Sequence, residues 1–448
     1  MTRLFGTDGV RGVANEKLTA TLAYNLGRAG AFCLTDEIHS AKILIAKDTR
    51  VSGDMLESAM VAGICSVGAE AVVACTLPTS AVAYLTKLMG YDAGVMISAS
   101  HNTVEYNGIK FFNSSGYKLA DEIEDRIEKI INNNCADVPM PTGISVGRRI
   151  RMKKAAQEYI DYIVSVAEGN LDGLKVVLDC ANGAASEVAP WVFKLLGAEV
   201  LPYYNMPDGN NINDHCGSTH PDQLARLVSE LGADVGLAFD GDADRLIAVD
   251  EHGIIVDGDK IMAVCALDRK KRGLLNRDTL VATVMSNMGV EATLKKNGVE
   301  MLRTDVGDRY VLEKMLEGGY NMGGEQSGHV IFLDDNTTGD GILSGVHLLR
   351  VMKREEKALS RLVRNIEIYP QVLVNARVSE DKKYGYMDDE VIQKEVKELE
   401  REFDGKGRVL IRTSGTEPLV RVMIEGKDKA VITKQAVKIA RLVEQRLK

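Results

Sequence analysis

The sequence predicts an α/β protein: three tandem α/β domains with related strand–loop–helix units, then a smaller C-terminal α+β domain. Two observations predict it. A strand–turn–helix–glycine–strand unit recurs three times, and the last segment abandons that pattern. Length agrees, because 448 residues exceed one ordinary core and suggest about three domains.

The first unit reads as a strand over 42–46, a polar turn, a helix over 53–67, a stop at Gly68-Ala69-Glu70 and an apolar run over 71–73. The second reads as a strand over 175–178, the turn 179–183, a helix to Leu196, a stop at Gly197-Ala198-Glu199 and the run 200–201. The third reads as a strand over 280–284, the turn 286–289, a helix to Lys296, a stop at Gly298-Val299-Glu300 and the run 301–302. Glycine at each stop supplies a left-handed helix cap. Short aliphatic runs alternating with helices imply mostly parallel sheets covered by helices.

Each unit leads to a further strand-like approach and a polar loop. Residues 93–97 lead to Ser100, 235–239 lead to Asp240, and 318–322 lead to a glycine-rich loop ending at His329. Open α/β sheets bind ligands beyond the carboxyl ends of their strands. The three loops are therefore expected to share a central cleft. From about Asn365 the pattern changes to strand 372–378, helix 390–403, strand 407–411, a Gly/Ser/Thr turn, strand 419–425 and a terminal helix. Linkers are expected near 138–147, 251–258 and 369, giving domains over 1–147, 148–253, 254–368 and 369–448.

Apolar content of 45% and charged content of 27% suit globular domains. A net charge of −9 argues against a nucleic-acid partner, which wants a basic face. It is compatible with a phosphorylated metabolite held by local cationic loops. The seven cysteines are scattered without C-x-x-C spacing, which fits reduced thiols and neither disulfides nor zinc. No apolar signal core or bilayer-length stretch is present. A cytoplasmic protein with no membrane partner is expected.

Asp240, Asp242 and Asp244 stand at alternate positions in a tight loop, a pattern that can direct three carboxylates at one hard cation such as Mg2+. An EF-hand is rejected, because its sixth position needs glycine and here is Arg245, and the flanks read as strands. Ser100 sits where the apolar run 94–97 breaks, with His101, Asn102, Asn107, Gly108 and Lys110 close behind. A phosphorylated Ser100 can supply an oxygen to the cation. Lys110 can serve in proton transfer if burial or cationic neighbours lower its pKa. Glu325 and Ser327, flanked by glycines before His329, suit vicinal hydroxyls or an amino group on a sugar. Arg412, Thr413, Ser414, Gly415 and Thr416, with Arg421 beyond, look like an anion nest. Gly6 to Gly12 is a glycine-rich loop carrying Arg11. Taken singly, each loop also fits a plain turn.

Taken together, Gly6–Gly12, Ser98–Lys110, Asp240–Arg245, Gly324–His329 and Arg412–Arg421 occur in the order found in the α-D-phosphohexomutase superfamily. The resemblance spans nearly the whole chain. The N-terminal loop, Val306 to Val311 and the glutamine at position 326 resemble the bacterial branch acting on glucosamine phosphates. The resemblance implies interconversion of glucosamine 6-phosphate and glucosamine 1-phosphate through a phosphoserine at Ser100 and a bisphosphorylated sugar. It implies Mg2+ on Ser100, Asp240, Asp242 and Asp244, with Arg245 and Lys110 near the transferring phosphoryl. Arg11 and His101 would support the serine loop. Asp308, Arg309, Glu325 and Ser327 would serve the sugar, and Arg412, Ser414, Gly415, Thr416 and Arg421 the phosphate that does not react. Glucose or glucosamine 1,6-bisphosphate is the implied activator, a homodimer the implied assembly, and a kinase or autophosphorylation the implied priming route. The alternatives are a mutase acting on glucose or mannose phosphates, or a magnesium-dependent sugar phosphatase. One departure shows: Thr103 stands where the family usually has proline after Ser-His-Asn, which loosens φ there but removes no chemical group.

Overall fold

The computed structural model describes residues 3–6, 8–34, 41–413 and 418–448. The chain divides into two compact units, Met1–Met285 with Gly298–Asn365, and Ser286–Asn297 with Ile366–Lys448.

Among the described residues the first unit holds three sheets. The first contains β1 Val10–Val13, β2 Lys42–Lys47, β3 Glu70–Thr76, β4 Ala93–Ile97, β5 Tyr106–Asn113 and β6 Arg149–Arg151, in the order β1-β5-β4-β2-β3-β6. The second contains β7 Lys175–Asp179, β8 Glu199–Tyr203, β9 Val235–Phe239, β10 Leu246–Asp250 and β11 Ile255–Val256, in the order β11-β10-β9-β7-β8. The third contains β12 Thr279–Thr283, β13 Glu300–Thr304, β14 Met322–Gly324 and β15 Val330–Phe332, in the order β13-β12-β14-β15.

The expectation of mostly parallel sheets misses one recurring part. The repeat strands are parallel (β2 with β3 and β4, β7 with β8 and β9, β12 with β13 and β14). Each polar loop, however, turns back into an antiparallel strand: β5 on β4, β10 on β9 and β15 on β14. These return strands are largely buried on both faces. Their sequences therefore lack the alternation that marks a strand beside water. Residues 318–321 are not strand either. The helix Asp308–Gly318 runs through the expected start, Gly319 caps it in the left-handed region at φ 65°, and β14 begins at Met322. The three glycine stops behave as expected, with φ of 91° at Gly68, 94° at Gly197 and 75° at Gly298.

Helices Ala20–Leu34 and Ser52–Ser66 cover the first sheet, burying Leu26, Met60 and Ile64 with Ile43, Ile45 and Val95. Each such side chain removed from water contributes about 1.5–3 kcal/mol. No helix among the described residues is long and apolar enough to cross a membrane.

The second unit is α+β. Strands β16 Gln371–Arg377, β17 Gly407–Thr413 and β18 Leu419–Gly426 form an antiparallel sheet in the order β16-β18-β17. Helices Glu390–Phe403 and Lys429–Leu447, N-capped by Asp389 and Asp428, pack Ile392, Ile439 and Val443 with Val422 and Ile424. The third repeat's helix, Met288–Lys296, clusters with this unit for an electrostatic reason. Fully buried Glu425 pairs with Arg408 at 2.7 Å and accepts the Met288 N–H at 2.8 Å. Arg408 also donates to the Ser286 carbonyl at 2.8 Å.

Within the first unit, three helices meet at one buried hydroxyl. Tyr159, on helix Ala155–Val166, donates to Asp340 Oδ2 at 2.7 Å and lies 3.0 Å from Ser80 Oγ, on helix Thr79–Leu88. Asp340 Oδ1 N-caps helix Gly341–Glu355 at the Leu343 N–H. Tyr159→Phe deletes the donor yet keeps the ring. It is expected to cost about 1–3 kcal/mol, read as a lower urea midpoint at unchanged slope.

Candidate active site

Ser100 closes the turn from β4 toward β5 in the left-handed region, at φ 52°. That conformation costs a non-glycine residue on the order of 1–3 kcal/mol and persists only where the surroundings impose it. Here they do. Ser98 Oγ accepts the Ser100 N–H at 2.9 Å and donates to Asp48 at 2.6 Å. Fully buried Arg50 pairs with Asp48 through Nε at 2.9 Å and donates to the carbonyls of Ser100, Asn102 and Thr103. Asn213 Nδ2 donates to the Ser100 and Asn102 carbonyls at 2.8 and 2.9 Å. The backbone carbonyl of Thr103 is thus held by the Arg50 guanidinium.

The second loop meets the first. Ser100 Oγ donates to Asp240 Oδ2 at 2.5 Å. Gly241 permits the approach, since a Cβ there would lie 2.5 Å from the Ser100 carbonyl oxygen. Asp240, Asp242 and Asp244 are all buried, each offering an oxygen within 4.8 Å of the others. Burial and the two neighbouring carboxylates push Asp240 well up from its ordinary pKa. The donor set fits a hard cation. Thr79 Oγ1 and Lys110 Nζ both occupy Asp242 Oδ2, at 2.6 and 2.9 Å. Asp242 Oδ1 and Asp244 Oδ1 are buried and accept no hydrogen bond. Such bare, single carboxylate oxygens suit Mg2+, which binds few carboxylates and wants regular geometry.

Cations surround the acids. Arg245 lies 3.9 Å from Asp240 and 3.8 Å from Asp244, and its Nη1 meets His101 Nδ1 at 3.2 Å. Burial, with Arg245 and Arg11 beside it, pushes the His101 imidazole down to about 4, so it is neutral at pH 7. Its Nδ1 can then accept from Arg245 while lying 3.5 Å from Ser100 Oγ. Arg11, on β1, pairs with Asp8, which also faces Lys110 at 3.3 Å. The condition set for Lys110 as a proton acceptor is not met. Burial opposes its charge, but Asp242, Asp8 and Asp244 outweigh burial and hold the ammonium well above its ordinary pKa. In these surroundings Lys110 is a charged donor.

The third loop joins from β14. The Leu246 N–H donates to the Gly328 carbonyl at 3.0 Å, fastening the loop to β10. Glu325 and Ser327 then line a cavity of about 390 Å³ together with Arg245, Thr283, Met285 and Val306, room enough for a small ligand. His329 is buried, with Nδ1 3.6 Å from Asp244 and Nε2 3.5 Å from Asp308. Asp308 therefore belongs to the buried network. Arg309 does not, since it pairs with Asp121 at 2.5 Å and Glu313 at 3.0 Å. In the second unit, Arg412 and Arg421 stand directly opposite each other across β17 and β18. Thr7, Ser414, Gly415, Thr416 and Glu417 lie outside the described residues.

Four family models for phosphoglucomutase/phosphomannomutase match in order: α/β/α domain I over residues 2–137, domain II over 157–253, domain III over 257–369 and the C-terminal domain over 373–442. The phosphoglucosamine mutase of Caldanaerobacter subterraneus subsp. tengcongensis is 58% identical over 447 residues, covering 100% of both chains. That of Clostridioides difficile is 56% identical over 447 residues, again covering 100% of both. A phosphoglucomutase/phosphomannomutase family protein of Burkholderia thailandensis has a similar structure, with TM-score 0.82 and 26% identity over 99% of this chain and 98% of that one. The N-acetylphosphoglucosamine mutase of Aspergillus fumigatus, solved with GlcNAc-6P and magnesium, shares the fold at TM-score 0.69 and 18% identity, over 99% of this chain and 96% of that one. The chain therefore belongs to the phosphoglucomutase/phosphomannomutase family of α-D-phosphohexomutases, in its phosphoglucosamine mutase branch.

Sequence reasoning missed Asp48, Arg50, Thr79 and Asn213, which place the reacting groups without resembling a motif, and it gave Ser98 no role beyond opening the serine-loop motif. The one readable signal was an acid and a base, Asp48 and Arg50, in the polar turn after β2. Arg50→Met would leave Asp48 buried without its cation, remove the Arg50 bond to the Thr103 carbonyl, and leave the Ser100 and Asn102 carbonyls to Asn213. Breaking a buried pair in this way costs about 3–5 kcal/mol, expected as a lower denaturation midpoint. Arg50→Lys keeps the charge but not the planar fork, and is expected to recover only part of the loss.

Proposed function

We propose that this chain interconverts glucosamine 6-phosphate and glucosamine 1-phosphate by carrying a phosphoryl group on Ser100. The observation that carries the reading is the meeting of the Ser100 hydroxyl with the buried Asp240, Asp242 and Asp244, 140 residues on in sequence. Phosphoglucosamine mutases similar along the full length supply the substrate class.

The sugar monophosphate binds with its free hydroxyl toward phosphorylated Ser100. The bond from phosphorus to the Ser100 oxygen breaks as one to the sugar oxygen forms, and the hydroxyl proton ends on Ser100 Oγ. The bisphosphorylated sugar turns end for end and returns its other phosphoryl group by the same exchange in reverse. Asp240, Asp242 and Asp244, with an oxygen of the Ser100 phosphate, are the residues that would hold Mg2+. The bound cation offsets negative charge on the transferring group. Arg245 and Lys110 add positive charge at the same place, and neutral His101 with Arg11 holds the serine turn. Glu325 and Ser327 orient sugar hydroxyls or the amino group from the cavity wall. Arg412 and Arg421, like charges set opposite on paired strands, repel each other unless an anion lies between them. They suit the phosphate that is not reacting. A glucose or glucosamine 1,6-bisphosphate would serve as activator by phosphorylating Ser100.

Ser100→Ala is expected to fold and to lose turnover by at least about 10³-fold, checked by a coupled assay on glucosamine 6-phosphate. Peptide mapping of the wild-type enzyme is expected to find phosphate on Ser100, and wild-type turnover by the alanine variant would end the reading. Chelation of divalent cations is expected to stop interconversion and added Mg2+ to restore it, with thermal melting showing ion binding independently of activity. Parallel assays on glucose and mannose phosphates test the other mutase readings, and release of inorganic phosphate tests the phosphatase.

A further inference from the structure

Lys118 follows β5 and pairs back on it through an isolated bridge to Phe112. Neither the loop motifs nor the mechanism above uses it. Its ammonium nevertheless lies 2.5 Å from Asp8 Oδ1 and 2.6 Å from Asp308 Oδ2, with the side chain 16% exposed. The other Asp8 oxygen faces Lys110 at 3.3 Å, while Lys110 sits 2.9 Å from Asp242 and 3.6 Å from Asp244. Asp308 continues to His329, whose Nε2 accepts the Gly339 N–H at 3.1 Å. The imidazole proton is therefore on Nδ1, toward Asp244. Acids and cations alternate from the aspartate loop through Lys110, Asp8 and Lys118 to Asp308, and the His329 imidazole closes the path back to Asp244.

We propose that Lys118 is a positioning residue for phosphoryl transfer: by satisfying Asp8 and Asp308 it keeps the Lys110 ammonium on the aspartate loop. The physical reason is competition. Lys110 is shared between Asp242 and Asp8 at distances only 0.4 Å apart (3.3 against 2.9 Å). Without Lys118, Asp8 is a half-buried carboxylate that has lost the cation on its Oδ1. Arg11 already pairs with Asp8 at contact distance, so the cation with room left to close on it is Lys110, at 3.3 Å, whose move takes positive charge from the place where the phosphoryl passes. This rests on the mutase reading only for the meaning of that place, not for the geometry.

The test uses full-length Lys118→Met and the double variant Asp8→Asn/Lys118→Met, with crystal structures and steady-state kinetics on glucosamine 6-phosphate. A reacting charge misplaced by about 1 Å costs on the order of a hundredfold. Lys118→Met is expected to lose about that much in kcat with KM within about threefold. The double variant, which removes the competing acid, is expected to recover at least about tenfold of it. In the Lys118→Met crystal, Lys110 Nζ is expected nearer Asp8 than Asp242. Lys110 unmoved in that crystal, or a double variant no better than the single, overturns the proposal. If Lys118→Met does not fold, Lys118→Gln carries the same measurements with a neutral hydrogen-bonding side chain. Failure of the mutase reading shows separately, as absent turnover by wild-type enzyme, while the crystallographic position of Lys110 still decides the role of Lys118.

Discussion

Three carboxylates held within 4.8 Å of one another in a buried loop set the terms for everything around them. At an effective dielectric near 20, two unit charges at that spacing repel by about 3 kcal/mol. Three such pairs approach the 5–15 kcal/mol that typically separates folded from unfolded protein. The fold answers with fixed cations. Lys110 reaches two of the acids from β5, and Arg245 lies against two of them from the loop itself. Two donors, the Ser100 hydroxyl and the Arg245 backbone N–H, reach Asp240. What remains bare is one oxygen each on Asp242 and Asp244, which is the demand a divalent cation meets.

The three functional loops occupy equivalent places. Each lies at the bend where the last parallel strand of a sheet reverses into an antiparallel partner: β4 into β5, β9 into β10, β14 into β15. A hairpin fixes both ends of its loop to the same sheet, so the loop cannot swing as a long crossover can. It also places side chains of the return strand beside the loop. Lys110 on β5 and Arg245 just before β10 come from that return. The charge that neutralises a loop is thus carried by the strand that closes it.

This explains what was legible in the sequence and what was not. Helices and repeat strands were readable because short apolar runs and the glycine stops between them are local signals, as with the helix Ser52–Ser66 or the strand Lys175–Asp179. The direction of β10 was not, because Leu246 to Asp250 are all buried and a doubly buried strand carries no mark of orientation. Asp240, Asp242, Asp244 and Ser100 stood out by spacing and context. Arg50 and Asn213 did not, because each acts on backbone carbonyls, and a carbonyl leaves no trace in the sequence. Arg309 illustrates the opposite case. It stands next to Asp308 in one motif, yet a helical step turns it away from the buried network toward Asp121 and Glu313. Adjacency in a motif does not carry adjacency in a site.

The clamp on Ser100 also bears on how a bisphosphorylated intermediate can turn. Ser100 and Ala243 both sit in the left-handed region, at φ 52° and 58°, one in each of the two loops that meet. Strain of this kind is retained when the surroundings over-determine it, and here Arg50, Asn213 and Ser98 hold the serine turn from three sides. Releasing that turn to let a sugar rotate would break buried charge-assisted bonds and then require the same strained geometry to be rebuilt before the second transfer. The reacting centre is better kept rigid, with the sugar's two ends exchanged against it. Under the proposed mechanism, a preorganised nucleophile and charge set would lower the barrier in both half-reactions without reorganising between them, so that one serine would serve the 1- and 6-positions alike.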